Sequence, residues 1–324
     1  MRYCSEDGVS TMTVPVIQAE RLHFAYGKDP MVLRDISFAV APGEIYGLVG
    51  ADGAGKTTLL QLAVGQLLPA GGAITTLDQP ADSPGLRAQV AYMPQGFGLY
   101  RDLSVQENLD FFADLHGLTR IQARERIGDL LQRTGLNGFE DRRTNNLSGG
   151  MMQKLALACA LVSQPRVMVL DEPTTGVDPV SRRAFWRLLD GVRAEGVTIL
   201  YATANMDEAE RCDRVGLLEQ GRLGRQGTPL ALAAVDGGVL AVVSGPEARR
   251  YRAALQALPD VELVFPVGRQ LRVWLIAGRS LADFRARLAD RFPALTAAAM
   301  TPALPDAALR DLALGALGSG DAGA

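Results

Sequence analysis

Short apolar runs separated by turns fill the N-terminal part of the chain and predict β-strands. The runs cover residues 14–22, 36–40 and 44–49, and the segments YGK and APG between them are typical of turns. The third run leads through a glycine-rich turn into KTTLLQLAVGQLL, residues 56–68, whose apolar spacing predicts a helix. A strand, a tight turn and a helix in this order indicate one unit of an α/β fold.

Helical periodicity dominates the middle of the chain. Apolar positions at helical spacing predict helices over residues 105–115, 120–134 and 151–161. The apolar run in VMVLDEP then predicts a buried strand, followed by the helical pattern SRRAFWRLLDGVRAEG and the strand pattern VTILYAT. Strands that alternate with helices favour an α/β fold with a mostly parallel sheet covered by helices.

The pattern changes after about residue 227. Residues 238–301 read as strand, helix, strand, strand, helix and a further strand, which predicts a small α+β domain of the ferredoxin-like kind. A last helix over residues 306–317 precedes the small-residue tail GSGDAGA. We expect disordered ends at residues 1–14 and 318–324.

Composition disfavours several classes of protein. The chain has a net charge of −3, whereas a general nucleic-acid binder has an excess of basic residues, so no nucleic-acid partner is expected. The cysteines Cys4, Cys159 and Cys212 have neither a disulfide pattern nor a zinc-site spacing. No run approaches the roughly 18 apolar residues of a membrane span, so another subunit would have to supply a membrane part.

The segment GADGAGKT, residues 50–57, has the pattern of a phosphate-binding loop. Its glycines allow successive backbone N–H groups to surround an anion at the positive end of the following helix. Lys56 is then expected to reach the β- and γ-phosphates, and the Thr57 hydroxyl to coordinate Mg²⁺. The alternative is an ordinary glycine-rich turn, which the placement between a strand and a helix disfavours.

Two acids end the predicted strand VMVLDEP. Sheets of α/β proteins bind ligands at the C-terminal ends of their strands. Asp171 is therefore expected to hold Mg²⁺ through water, and Glu172 to activate a water for attack on the γ-phosphate. Because many strands end in acids, this motif gains its meaning from the phosphate loop upstream.

The segment LSGGMMQ, residues 147–153, opens a predicted helix. Ser148 is a good N-cap, and Gly149 and Gly150 leave the first amides of the helix open to an anion. In isolation the segment would be only a capped helix start. Its position shortly before the acid-ended strand is what makes it informative.

These motifs, together with YMPQ around Gln95 and GVDP, resemble in their order the ABC ATPase family over about residues 16–228. The phrases YMPQGFGLYRDLSVQENLDFF and GVDPVSRRAFW are similar to the subfamily that drives drug and antibiotic exporters with ABC-2 membrane subunits. The resemblance implies a P-loop ABC ATPase domain over residues 15–228, with a helical subdomain at about 96–165. A small accessory α+β domain would follow over residues 229–317.

The resemblance also implies roles for individual residues. Tyr26 matches the aromatic residue that stacks on adenine, Gln95 the residue that contacts Mg²⁺ and the attacking water, and Asp178 the acid that communicates across a dimer. In such a dimer each ATP lies between the Lys56 side of one cassette and the Ser148 side of the other. The implied catalytic residues are Glu172, Gln95 and Lys56, and the implied Mg²⁺ ligands are Thr57, Gln95 and Asp171. The implied ATP-binding residues are Tyr26, Gly50, Ala51, Asp52, Gly53, Ala54, Gly55, Lys56, Thr57, Thr58, Ser148, Gly149, Gly150 and Asp178.

One departure from the family pattern bears on hydrolysis. In the family a histidine that contacts the γ-phosphate follows the next strand, and Ala204 stands in its place in TANMDEA. Loss of one such contact typically costs roughly 10²–10³ in rate, so hydrolysis at this site is expected to be slow. Asp52, Met151 and Met152 are milder departures. The pattern resembles the N-terminal cassette of two-cassette multidrug export ATPases, in which one site is degenerate.

We therefore expect the ATP-binding and ATP-hydrolysing subunit of an exporter for drugs or hydrophobic compounds, peripheral on the cytoplasmic face of the cell membrane. Its partners would be ABC-2-type permease subunits and a second cassette, in a homodimer or as a paired subunit, with ATP and Mg²⁺ as cofactors. One alternative is a regulatory subunit with little turnover of its own, which Ala204 favours. Another is a non-transport ABC protein acting on ribosomes or DNA, which the compact segment between the phosphate loop and LSGGMMQ disfavours.

Overall fold

The computed structural model describes residues 14–233 and 238–307. Nearly all of the predicted disordered ends, most of the predicted last helix and Cys4 lie outside these residues. The chain divides into two compact units. The first contains the residues up to 204 together with 216–223, and the second contains 205–215 together with the residues from 224 onward.

The strands lie in two stretches of the chain, one up to Met93 and one from Val167 onward. They are β1 (Ile17–Phe24), β2 (Leu33–Val40), β3 (Ile45–Val49), β4 (Gly71–Thr76), β5 (Gln79–Pro80), β6 (Val90–Met93), β7 (Val167–Asp171), β8 (Thr198–Thr203), β9 (Arg214–Glu219), β10 (Arg222–Gly227), β11 (Val239–Ser244), β12 (Val261–Val267), β13 (Gln270–Leu275) and β14 (Thr296–Met300). The helices are α1 (Lys56–Ala63), α2 (Val105–Leu115), α3 (Arg120–Thr134), α4 (Gly149–Leu161), α5 (Pro179–Ala194), α6 (Met206–Ala209), α7 (Pro229–Ala233), α8 (Arg252–Gln256) and α9 (Leu281–Arg291).

The main sheet has the order β10-β9-β3-β8-β7-β6. β3, β8, β7 and β6 run parallel, with Val49 opposite Thr203 and Asp171 opposite Ala202. Every residue of β3, β7 and β8 is buried, as continuous apolar strands in a sheet covered on both faces should be. Because these strands are parallel, their carboxyl ends meet at one edge of the sheet.

A second, antiparallel sheet of the first unit has the order β2-β1-β4-β5. Its apolar side chains share one core with β3 and α1, which includes Ile17, Leu22, Ile36, Leu48 and Leu59. This core fixes the strand and the helix that flank the glycine-rich loop.

Helices α2, α3 and α4 form a separate apolar cluster, which includes Val105, Leu109, Ile127 and Leu155. Ser104 and Glu107 form a capping box at the start of α2, and α3 begins with a second one. Such boxes satisfy the otherwise unpaired amides of a helix start. α2 and α3 have the predicted bounds, and α4 begins two residues earlier than predicted.

The second unit contains a four-stranded antiparallel sheet with the order β12-β13-β11-β14. With α8 after β11 and α9 after β13, this order confirms the predicted ferredoxin-like arrangement. Side chains of β11, β13 and α9 fill its core, among them Val243, Val273, Phe284 and Leu288.

Several predicted element bounds differ from those in the structure. The helix predicted over residues 56–68 ends at Ala63, because the chain turns at Gly65 with a φ of 69° and packs there against the Ala81 carbonyl. The first strand covers Ile17–Phe24 rather than residues 14–22. Within the described part of the chain, no helix combines the length and the apolar character needed to cross a membrane.

Candidate functional site

A glycine-rich loop joins β3 to α1. Gly53 and Gly55 have φ angles of 79° and 105°, in the left-handed region that favours glycine. At Gly50, a Cβ would lie 2.2 Å from the carbonyl oxygen of Leu218, so no side chain fits there. α1 begins after Gly55 without a side-chain cap, which leaves its first N–H groups available to an anion.

Lys56 is the buried cation of this loop, with 4% of its side chain exposed. Its Nζ donates to the carbonyl oxygens of Gly50 and Ala51 at 2.8 and 3.0 Å. The same Nζ lies 2.9 Å from Oε1 of Glu172, whereas the exposed carboxylate of Asp52 is 3.9 Å away. The loop lysine and the second acid of the VMVLDEP motif are therefore in direct contact.

Glu172 follows β7 with a φ of 46°. This conformation is uncommon for a residue with a Cβ, and such strained residues cluster at functional sites. Its N–H donates to the Ala202 carbonyl at 3.0 Å, which anchors it to β8. Oε2 of Glu172 accepts hydrogen bonds from Gln95 Nε2 at 3.4 Å and Thr175 Oγ1 at 3.2 Å. Gln95 thus reaches the same carboxylate as Lys56.

Asp171, the last residue of β7, is 1% exposed. Its Oδ2 accepts a hydrogen bond from the Tyr92 hydroxyl at 3.4 Å, whereas Oδ1 is buried without a hydrogen-bond partner. Burial raises the pKa of Asp171, and a hydrogen bond from Thr57 opposes that effect. Burial and the neighbouring Asp171 likewise raise the pKa of Tyr92.

An unpartnered carboxylate oxygen beside a threonine hydroxyl suits a hard cation that prefers oxygen ligands. Among the described residues, no three His, Cys, Asp or Glu side chains gather as a metal site. A cation at Asp171 would therefore complete its coordination with hydroxyl, amide, water or phosphate oxygens.

Tyr26 lies beside the first turn of α1. Its hydroxyl is 3.1 Å from Thr58 Oγ1, and its ring packs edge-on against Phe24 with the centroids 4.8 Å apart. The side chain is still 43% exposed, which leaves ring surface free for a further aromatic group.

Ser148, Gly150 and Asp178 form a second group, whose contacts lie along α4 and α5 rather than with Lys56. Ser148 caps α4 by accepting from the Met151 N–H at 3.3 Å. Asp178 caps α5 by accepting from the amides of Val180 and Ser181, and the hydrogen bonds from Ser181 lower its pKa. The two helix starts adjoin, since a Cβ on Gly150 would lie 2.3 Å from Ser181 Oγ. Gly149 lies in the same turn, at the start of α4.

The sequence motifs do not by themselves predict a role for two side chains at the site. Tyr92 contacts Asp171, as described above, and the buried Gln153 donates from Nε2 to the Pro173 carbonyl at 3.0 Å. Both lie inside recognised motifs, YMPQ and LSGGMMQ. Their positions were therefore visible in the sequence, but their contacts were not, because each partner lies far along the chain.

Ala204 directly follows β8, whose last residue Thr203 pairs with Val49 at the start of the glycine-rich loop. Its methyl group is exposed and offers no hydrogen-bond donor. The next residue, Asn205, uses its side chain to cap α6.

A glycine-rich loop at a helix start, a buried lysine and an acid-ended parallel strand define a P-loop nucleotide-binding fold. The family model described as ABC transporter matches residues 33–175. The probable multidrug ABC transporter ATP-binding protein YbhF of Escherichia coli (strain K12) is 39% identical over 285 residues, which cover 87% of this chain and 49% of that protein. The Nod factor export ATP-binding protein I of Burkholderia orbicola (strain AU 1054) is 40% identical over 250 residues, or 76% and 82% of the two chains.

Solved structures give the same result. The structure of an ATP binding subunit of an ABC transporter is 32% identical, with a TM-score of 0.61 and coverage of 67% of this chain and 91% of that one. The cbiO1 protein of Clostridium perfringens, part of the transporter complex cbiONQ, is also 32% identical, with a TM-score of 0.62 and coverage of 67% and 90%. The chain belongs to the ABC transporter family and contains its ATP-binding cassette. It spans about half the length of the Escherichia coli relative.

Proposed function

We propose that this chain is the ATP-binding and ATP-hydrolysing subunit of an ABC exporter. The observation that carries the proposal is the 2.9 Å ion pair between Lys56 Nζ and Glu172 Oε1. It joins the phosphate loop to the acid at the end of β7, and phosphoryl transfer needs both at the same phosphate group. Export is supported by the names of the relatives, which refer to multidrug transport and to Nod factor export.

In this proposal Lys56 binds the β- and γ-phosphates of ATP, and Glu172 accepts a proton from the attacking water. A polyanion beside Lys56 competes with Glu172 for the ammonium group, which frees the carboxylate to orient that water. Gln95, already within 3.4 Å of Glu172, would contact the same water. Tyr26 and Thr58 would border the nucleotide, with the tyrosine ring against adenine. The backbone N–H groups that surround the phosphates would come from Ala51, Asp52, Gly53, Gly55, Lys56 and Thr57, whereas those of Gly50 and Ala54 donate to the carbonyls of Thr203 and Ala51.

Thr57, Gln95 and Asp171 would hold Mg²⁺. The fit rests on the buried, unpartnered Oδ1 of Asp171 and on the neighbouring Thr57 hydroxyl. Bound Mg²⁺ would neutralise charge on the phosphate oxygens. The raised pKa of Asp171 would then fall, because the ion stabilises the carboxylate.

A second cassette, in a homodimer or as a paired subunit, would complete each site. The Ser148–Gly150 turn presents the uncovered amides of α4, which suit the γ-phosphate of ATP held by the other cassette. Asp178, beside that turn, would contact the other subunit. ABC-2-type permease subunits would hold the pair at the cytoplasmic face of the membrane, with residues 15–228 as the ATPase domain and 229–317 as the accessory domain.

Ala204 supports a second candidate, a regulatory subunit that binds ATP with little turnover. Its methyl group cannot donate a hydrogen bond to the γ-phosphate, so the chain's own site would lack one contact that stabilises the transition state. Single-turnover hydrolysis compared with equilibrium ATP binding separates the two functions.

The experiment that tests the main proposal is Lys56→Ala, with Lys154→Ala on α4 as the matched control. Loss of Lys56 removes the cation of the phosphate loop, so ATP binding and hydrolysis should both be abolished. The control should keep both, because Lys154 lies outside the contacts of Glu172. Unchanged ATP affinity and hydrolysis in Lys56→Ala would refute the assignment of the phosphate loop.

A further inference from the structure

Gln153 is a fully buried amide in the interior of the first unit. Its Nε2 donates to the Pro173 carbonyl at 3.0 Å, and its Oε1 has no hydrogen-bond partner. Burial of an amide whose carbonyl oxygen has no partner costs free energy that an apolar side chain of the same size would not cost. The hydrogen bond to the Pro173 carbonyl is an interaction that this amide forms and an apolar side chain could not form.

The two ends of this hydrogen bond belong to different halves of the proposed site. Gln153 lies on α4, five residues after the cap Ser148, which is about 7.5 Å along the helix. Pro173 directly follows Glu172. The bond therefore connects the helix that begins at the Ser148 turn to the loop that carries the proposed general base.

That loop has little freedom to absorb a displacement. Glu172 is fixed to β8 through its N–H and accepts from Thr175 Oγ1 within the loop. At the other end of the loop, Asp178 caps α5, which packs against Gly150. Packed groups of this kind move together, so a shift of α4 reaches Glu172 through Pro173.

We propose that Gln153 is a positioning residue that ties the carboxylate of Glu172 to the Ser148–Gly150 turn through its hydrogen bond to Pro173. This inference rests on the proposed function. When the Ser148–Gly150 turn contacts ATP on the other cassette, the hydrogen bond to Pro173 would position the Glu172 carboxylate beside the chain's own ATP. The two ATP sites of a pair would then be coupled.

The test compares Gln153→Met with the wild-type chain by hydrogen exchange and single-turnover hydrolysis. Methionine keeps the length of the side chain but cannot donate to Pro173. Exchange of the Thr175 and Val177 amides, which bond within the loop, should become about two- to tenfold faster, the value of one hydrogen bond. Hydrolysis should slow by a similar factor, with ATP affinity unchanged.

Two controls separate positioning from general destabilisation. Gln132→Met changes an exposed glutamine on α3 and should alter neither readout. Leu157→Ala opens a cavity in buried α4 and should raise exchange along the helix without a selective effect on residues 172–177. If Gln153→Met fails to fold, Gln153→Leu removes the same donor and takes its place.

Exchange at 172–177 that stays at the wild-type rate, or that rises only in step with α4 and β7, overturns the inference. Failure of the proposed function gives a different result, namely a wild-type chain that neither binds nor hydrolyses ATP. The exchange measurement remains informative in that case, because it needs no nucleotide.

Discussion

Buried acids in the two units of the chain have different neighbours. At the edge of the parallel sheet, Asp171 keeps an unpartnered buried oxygen, and Lys56 is paired with an acid that a ligand can displace. In the second unit the buried Asp260 is flanked by two arginines, with Arg287 Nη1 at 3.0 Å, and Asp306 lies 3.7 Å from Arg272. Parallel strands bring their carboxyl ends to one edge of the sheet, where functional side chains can lie close together. An antiparallel sheet alternates its strand ends between two edges, and here Asp260 and Asp306 face arginines instead of an open site.

The largest expected effect is on hydrolysis. Glu172→Gln should lower single-turnover ATP hydrolysis by roughly 10²–10⁴-fold, because the amide cannot accept the proton of the water. ATP binding should persist, since the carboxylate no longer competes for Lys56. The control is Glu195→Gln, which removes an exposed carboxylate paired with Arg133. Hydrolysis at the wild-type rate in Glu172→Gln would show that the proposed base lies elsewhere.

The next effect is on stability and should be confined to one unit. Phe284→Ala removes a fully buried ring from the core of the second unit and should destabilise it by about 3–5 kcal/mol. The unfolding of each unit can be followed by the fluorescence of its own tryptophan, because Trp186 lies in the first unit and Trp274 in the second. ATP affinity should stay unchanged. The matched variant Phe185→Ala should instead shift the transition reported by Trp186, and equal shifts of both tryptophans would show that the units unfold as one.

A smaller effect concerns the missing contact at the end of β8. Ala204→His should raise the hydrolysis rate by about tenfold, a fraction of the usual value of such a contact, because the surrounding loop is not shaped for an imidazole. Single-turnover kinetics at saturating ATP measure this change in rate. Ala209→His is not a suitable control, because Ala209 is buried. Ala231→His, on the exposed surface of α7, is the matched control. No gain from Ala204→His would favour the regulatory subunit.

The smallest expected effect is on the pH dependence of stability. Burial raises the pKa of Asp171 in the folded chain above the value of about 3.9 in the unfolded chain. The protonated form is therefore favoured by folding, and this stability is present below the unfolded pKa and is lost as pH rises through the folded pKa.

Asp171→Asn should remove that dependence. Urea unfolding between about pH 4 and pH 7, without nucleotide or Mg²⁺, should show the free energy of unfolding of the variant gaining on the wild type as pH rises. Asp110→Asn, at an exposed position of α2, should follow the wild type throughout. A constant difference between Asp171→Asn and the wild type would mean that Asp171 titrates alike in both states.

Local signals in the sequence determined the elements and the motifs. Apolar spacing alone predicted the bounds of α2 and α3, because a helix that packs on a core displays an apolar face along the chain, and the structure shows a capping box at each start. The ferredoxin-like order of the second unit followed from the succession of strands and helices. Where a turn overrode periodicity, at Gly65, the prediction failed, because the close approach to Ala81 comes from packing.

Only the tertiary structure decided which residues meet. The sequence names Lys56 and Glu172, but the parallel pairing of β3, β8 and β7 brings the ammonium within 2.9 Å of the carboxylate. No local signal in the sequence indicates the hydrogen bond of Tyr92 to Asp171 or that of Gln153 to Pro173. The two residues of each pair lie apart along the chain, and only the packing of the sheet and α4 brings them together. Periodicity and motif spacing report on neighbours along the chain. The site is made by side chains that are distant along it, and the packing of the core alone sets their separation.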